Sequence, residues 1–144
     1  MFDSVLVVCA GNICRSPTGE YVLKQKLEGK NIKVSSAGLT ALEGKPADAK
    51  AKQIAQAHGV NMDEHQGRQL SSALVAQNSV ILVMEERHLN DVHARYPEAR
   101  GKTFLLGKWI DNAEIPDPYR QSTEAFEHVY TLIDSACSAW QKYL

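Results

Sequence analysis

Net charge of either sign is almost absent from this chain: 16 Lys and Arg residues stand against 17 Asp and Glu, a formal net charge of -1. Without a global basic field, neither nucleic acid nor an anionic membrane surface is an expected partner, and any recognition of an anion has to be local. Long hydrophobic runs are missing as well. The apolar stretch that starts at Val5 is far shorter than a membrane span and follows Asp3 rather than a basic segment. Membrane insertion and a signal peptide are therefore not expected, and the cytoplasm is the expected compartment. Cysteine is scarce and odd in number, three in 144 residues, which does not make a disulfide framework. Reduced thiols suit that compartment, and catalysis or packing has to account for them. The histidines at 58, 65, 88, 93 and 128 lack metal-ligand spacing, and His88 and His93, five apart, do not share a helical face, so no metal is expected. Gly101-Lys102-Thr103 matches the end of a nucleotide-binding loop, yet Tyr96 occupies the place of the required earlier glycine. Repeats, low-complexity tracts and linkers are also missing, and 44% hydrophobic residues make residues 1–144 a single domain with a full core.

What is present is an alternation of short apolar runs with helical periodicity. Val5-Leu6-Val7-Val8 reads as a strand buried on both faces, and Ser16-Pro17 as a helix cap followed by proline at the first helical position. Gly19, Val22, Leu23 and Leu27 continue that helix to about Gly29, and residues 32–36 read as a second strand. A loop over 37–45 leads to a second helix opened by Pro46 and closed by Gly59. Residues 71–77 fit a short helix, 80–84 a third strand, Leu89, Val92 and Tyr96 a helix stopped by Pro97, and 103–106 a fourth strand. Residues 107–121 have no period and read as a long loop; Phe126, Val129, Ile133, Ala136, Cys137 and Trp140 form a helical stripe. Strands alternating with helices predict an α/β fold with a parallel sheet covered on both faces, in which ligands bind outside the carboxyl ends of the strands.

The chemistry concentrates where the first strand ends. In Cys9-Ala10-Gly11-Asn12-Ile13-Cys14-Arg15-Ser16-Pro17, a thiol, a glycine and asparagine suited to positive φ, and a guanidinium precede a helix N-terminus. Backbone N–H groups there converge on an anion, the helix dipole favours negative charge, and the arginine can clamp two oxygens of a phosphate. The same field favours a thiolate at Cys9. Cys14 either packs or caps an oxidised Cys9 as a disulfide, while Cys137 lies on the apolar stripe of the last helix. Asp117 in Asp117-Pro118-Tyr119 is either a turn opener or a proton donor for a poorly leaving oxygen. Tyr119 either walls the cleft or covers the core, and Leu39 and Leu42 are apolar loop residues that either tuck inward or face a ligand. Glu85-Glu86-Arg87 reads as a solvated helix face.

Together, the nine-residue loop and the late Asp117-Pro118-Tyr119 resemble the low-molecular-weight protein tyrosine phosphatases over essentially the whole chain. The resemblance implies a four-stranded parallel sheet of order 2-1-3-4, no metal and no cofactor, with Cys9 as nucleophile, Arg15 as phosphate ligand and Asp117 as general acid. It further implies that Ala10, Gly11, Asn12, Ile13 and Cys14 line the substrate site, that Leu39 and Tyr119 flank a cleft for a phenyl ring, and that Asn12, Ser16, Ser36 and His65 hold the loop. Ile13 stands where arginine-phosphatase relatives carry threonine, and Leu39 where eukaryotic members carry tryptophan. By this resemblance Ile13 favours phosphotyrosine, while Leu39 and the single Tyr119, followed by Arg120 instead of a second aromatic, resemble the bacterial branch that dephosphorylates tyrosine autokinases controlling capsule and exopolysaccharide export, with a phosphotyrosine protein as partner and inorganic phosphate as product. The alternatives are a thiol-dependent arsenate reductase of the same fold and a noncatalytic phosphate-binding module.

Overall fold

The apolar run near the start of the chain is a strand with no exposed face. The computed structural model describes residues 2–144 and places β1 at Ser4–Cys9, every residue of it buried. It is paired in parallel with β2 (Lys33–Gly38) on one side and β3 (Val80–Val83) on the other, and β3 carries β4 (Thr103–Leu105). The sheet order is β2-β1-β3-β4, as the resemblance implied. Strand alternation sorts the core into two layers. Val5, Val7 and Leu82 pack under α1 (Arg15–Lys26), α2 (Ala49–Ala57) and α5 (Thr123–Gln141), whereas Leu6, Val8, Ile81 and Val83 pack under α3 (Ser72–Gln77) and α4 (Glu86–Arg95). Each large side chain fully buried in these layers, such as Ile133 on α5, contributes about 1.5–3 kcal/mol relative to an exposed one. Among the described residues, no helix is long and apolar enough to cross a membrane.

The chain leaves β1 for one neighbour and later returns beside its other, so the crevice at the carboxyl end of β1 is the switch point of the sheet. Cys9 is the last residue of that strand.

Two helix starts differ from the sequence expectation. α1 begins at Arg15, with Cys14 in the cap position and no side-chain cap, so Ser16 lies inside the first turn rather than capping it. Its hydroxyl is directed to Cys9 instead. α2 starts at Ala49, not at Pro46, because Asp48 is the cap: its Oδ1 accepts from Lys50 N at 2.9 Å and Ala51 N at 3.1 Å.

Candidate active site

Six consecutive carbonyls shape the loop after β1. Those of Cys9, Ala10 and Gly11 accept from the N–H groups of Leu39, Thr40 and Leu42 at 2.9, 2.9 and 3.0 Å. The Asn12 carbonyl accepts from His65 Nε2 at 2.7 Å, that of Ile13 from Asp48 N at 2.7 Å, and that of Cys14 from Thr18 N at 3.1 Å and its hydroxyl at 2.8 Å. In a planar trans peptide the N–H points opposite to the C=O. With the carbonyls drawn to the surrounding chain, the amides between Ala10 and Arg15 turn into the hollow of the loop, next to the uncapped first turn of α1. That is an anion-binding nest at a helix N-terminus.

Asn12 holds this shape. It is fully buried with φ at 58°, in the left-handed region that asparagine tolerates. Its amide donates to Ser16 Oγ at 2.7 Å and Ser36 Oγ at 3.0 Å, and its Oδ1 accepts from Arg68 N at 2.8 Å. Because Ser16 Oγ accepts from Asn12, its own proton is free for the Cys9 sulfur 2.9 Å away, and Ser16 N donates to the same sulfur at 3.4 Å. The Ser36 hydroxyl donates to the buried Glu20 in a short hydrogen bond, and His65 Nδ1 stands 3.9 Å from the same carboxylate. The structure thus brings Asn12, Ser16, Ser36 and His65 into one buried network and adds Glu20 and Arg68 to it.

Gly38 closes the back of the loop. A Cβ there would stand 2.6 Å from the Ala10 carbonyl oxygen and 3.0 Å from Asn12 N. Gly38→Ala is therefore expected to push the loop forward, at a stability cost of about 1–3 kcal/mol. Thermal unfolding with and without phosphate measures both effects: a Tm several degrees lower and a weakened phosphate-induced rise are expected.

Arg15 is 2% exposed despite its charge. Its Nη1 donates to the Glu85 carboxylate in a short ion pair and to the Ile115 carbonyl at 2.9 Å, and its Nη2 lies 3.9 Å from Asp117 Oδ2. Asp117 is the turn residue its Asp-Pro sequence predicted, and the turn leaves one carboxylate oxygen facing the site. Its Oδ1 accepts from Tyr119 N at 3.0 Å in a turn, and its other oxygen faces Arg15 across the site. Ile115 N bonds the Met84 carbonyl at 2.9 Å, which anchors this loop to the end of β3.

Between the loops lies a cavity of about 260 Å³, close to the lower end of small-molecule pockets at about 300 Å³. Its floor is Cys9, Ala10, Gly11, Ile13, Cys14 and Arg15; its walls are Thr40, Leu42, Asp117 and Tyr119. Leu39 does not line it. Being 5% exposed, it packs in the core layer under α3 and α4, and the adjacent loop turn presents Leu42, 48% exposed, to the cavity in its place. Cys137 packs in the core on α5, as its place on the apolar stripe predicted. Cys14 and Cys137 are both buried free thiols, and burial pushes each well above the ordinary thiol range.

Glu85 corrects the reading of 85–87 as a solvated face. It stands two residues past the end of β3, next to the strand that Cys9 ends, and a place just past the carboxyl end of a central strand is the signal that could have marked it. Burial alone would raise its carboxyl, but hydrogen bonds from Arg87 and Arg15 outweigh that and hold it down at about 2. His88 accepts from Glu85 N through Nδ1 at 3.3 Å. Burial, then the Arg15 charge, push that imidazole down to about 4, so it is neutral beside the pair at pH 7.

This arrangement joins a thiol, an anion nest, a guanidinium and a carboxyl within one small cavity. The chain as a whole is similar to known proteins. The family model described as low molecular weight phosphotyrosine protein phosphatase matches residues 4–144. The low molecular weight protein-tyrosine-phosphatase Etp of Escherichia coli K12 is 50% identical over 143 residues, covering 99% of this chain and 95% of Etp. Among solved structures, Vibrio vulnificus Wzb in complex with benzylphosphonate superposes with a TM-score of 0.96 at 54% identity, covering all of both chains. The Erwinia amylovora tyrosine phosphatase AmsI gives a TM-score of 0.96 at 46% identity over 100% of this chain and 94% of its own. A family match over nearly the whole length, with close relatives in both sequence and fold, places this chain in the low molecular weight phosphotyrosine protein phosphatase family.

Proposed function

We propose that this chain hydrolyses phosphotyrosine in proteins by two in-line displacements through a phosphocysteine at Cys9. The observation that carries the proposal is the meeting of Cys9, Arg15 and Asp117 at one cavity from loops that are remote in sequence. In the first step the Cys9 thiolate attacks phosphorus, forming S–P as the ester O–P bond breaks, and Asp117 gives its proton to the departing phenolic oxygen. In the second, water attacks phosphorus, Asp117 takes the proton, and the S–P bond breaks to release inorganic phosphate. Arg15 and the loop amides hold the nonbridging oxygens, and each such preorganised donor is worth roughly 2.7–4 kcal/mol in other enzymes. Ser16 stabilises the thiolate from 2.9 Å. Leu42 and Tyr119 supply apolar walls for the tyrosine ring.

The position of the thiols favours this reading over an arsenate reductase. A reductase needs a reactive resolving thiol beside the nucleophile, whereas Cys137 is packed on α5 and the Cys14 thiol, though on the cavity floor, is pushed up by burial and so disfavoured as a thiolate. A steady-state assay separates the two: turnover of a phosphotyrosine peptide is expected, and arsenate reduction with a thiol reductant in its place would overturn the proposal. The physiological substrate in this reading is a bacterial tyrosine autokinase, supported by the likeness to Etp, Wzb and AmsI. A cognate autokinase that kept its phosphotyrosines after incubation with the enzyme would count against it.

A further inference from the structure

A carboxylate in direct contact with the phosphate-binding arginine poses a chemical problem. Paired with Glu85 alone, Arg15 carries no net charge toward an incoming dianion, and a carboxylate that took both of its terminal nitrogens would close the fork that phosphate needs. The surroundings of Glu85 answer both points. Its Oε1 accepts from Arg87 Nε at 3.1 Å and its Oε2 from Arg87 Nη2 at 3.2 Å, while Oε2 also takes Arg15 Nη1. The trio runs outward from Arg15, 2% exposed, through Glu85, 20%, to Arg87, 67%, and has a net charge of +1 by the sum of its members.

Donor counting makes the consequence specific. Arg15 Nη1 has two protons, and Glu85 and the Ile115 carbonyl take both. Nε and Nη2 are left as the bidentate edge for phosphate. Arg87 engages Glu85 Oε1, the oxygen that would otherwise be free to swing onto Arg15 Nη2. We propose that Arg87 is a positioning residue for the phosphate clamp: it holds Glu85 in a single-point contact with Arg15 and offsets its charge, so that Arg15 keeps an open fork and a net attraction for the phosphate. The inference rests on the phosphatase reading of the site. The other charged groups facing the trio are Asp117 and Glu114 near Arg87, and Asp91 near His88 on α4. His88 itself is neutral at pH 7, so Arg87 is the cation that offsets Glu85 from outside the cavity.

The test is a double-mutant cycle on Arg87→Ala and Glu85→Gln, read by calorimetric phosphate affinity and by steady-state kinetics on p-nitrophenyl phosphate. Arg87→Ala is expected to weaken phosphate binding and raise KM by roughly threefold to tenfold, with kcat within about twofold, the size of one lost charge-assisted contact. Arg87→Lys is expected to recover only part, because an ammonium lacks the planar fork that spans both oxygens. In the Glu85→Gln background, Arg87→Ala is expected to change phosphate affinity little, since the carboxylate it restrains is gone. Unchanged phosphate affinity in Arg87→Ala would overturn the proposal, and so would an undiminished effect in the Glu85→Gln background. Calorimetry keeps this test separate from the phosphatase reading: a wild-type protein that bound phosphate without hydrolysing phosphotyrosine would sink that reading and leave the cycle interpretable.

Discussion

Cys9→Ser is expected to abolish phosphotyrosine turnover, with kcat lower by about 10⁴-fold or more, while inorganic phosphate still binds with affinity close to wild type. The hydroxyl is a far weaker nucleophile at neutral pH than a thiolate, and nothing in the site replaces it. Binding survives because it depends on other atoms. The hydrogen bonds to six consecutive carbonyls that turn the loop amides inward, and the contacts that orient Arg15, are untouched by exchanging sulfur for oxygen. Kinetics on a phosphotyrosine peptide and calorimetry with phosphate check the two halves. Loss of both together would indicate a collapsed loop; retention of turnover would remove Cys9 from the chemistry.

Asp117→Ala is expected to separate substrates by leaving group. For phosphotyrosine, whose phenolic oxygen leaves poorly, the loss in kcat is expected at roughly 10²–10⁴-fold, the usual worth of a general acid. For an ester with a very good leaving group, such as 2,4-dinitrophenyl phosphate, the first step needs no proton and the loss is expected to be much smaller. Equal losses on both would count against the acid role. Asp117 also accepts a hydrogen bond from Tyr119 N in its turn, so alanine perturbs the loop as well as the chemistry. Asp117→Asn separates the two: its amide oxygen keeps the turn acceptor but carries no transferable proton, and the same leaving-group dependence is expected from it.

The sheet and its helices were legible because the strands are buried on both faces. Val5 to Val8 and Val80 to Val83 read as unbroken apolar runs, and the stripe of α5 repeats cleanly from Phe126 to Trp140. Chemistry blurred the boundaries near the site. Ser16 has the residue type of a helix cap, yet the Cys9 sulfur claims its hydroxyl, and the first turn of α1 is left facing the nest. Leu39 and Leu42 are equivalent by composition; the way the loop turns past Gly38 buries one and exposes the other, and no periodicity encodes that. Glu20 was hidden by a local decoy. With Lys24 four positions on, it reads as an exposed helical ion pair, and that pair does form at 2.6 Å, while the other carboxylate oxygen is buried against Ser36. Glu85 was missed similarly, its charge cluster read as a solvated face when one member of it reaches Arg15. Asn12, Ser36 on β2 and His65 are joined across elements distant in sequence, so spacing carried no trace of their network and only the family resemblance pointed to it.

The proposed mechanism centres on a covalent phosphocysteine intermediate, and mass spectrometry of enzyme denatured rapidly during turnover of a phosphotyrosine peptide tests it most directly. A phosphoryl group on the Cys9-containing peptide, absent from Cys9→Ser, is the predicted result. A phosphoryl group on another residue, or steady product release with unmodified Cys9 at every sampled time, would contradict it.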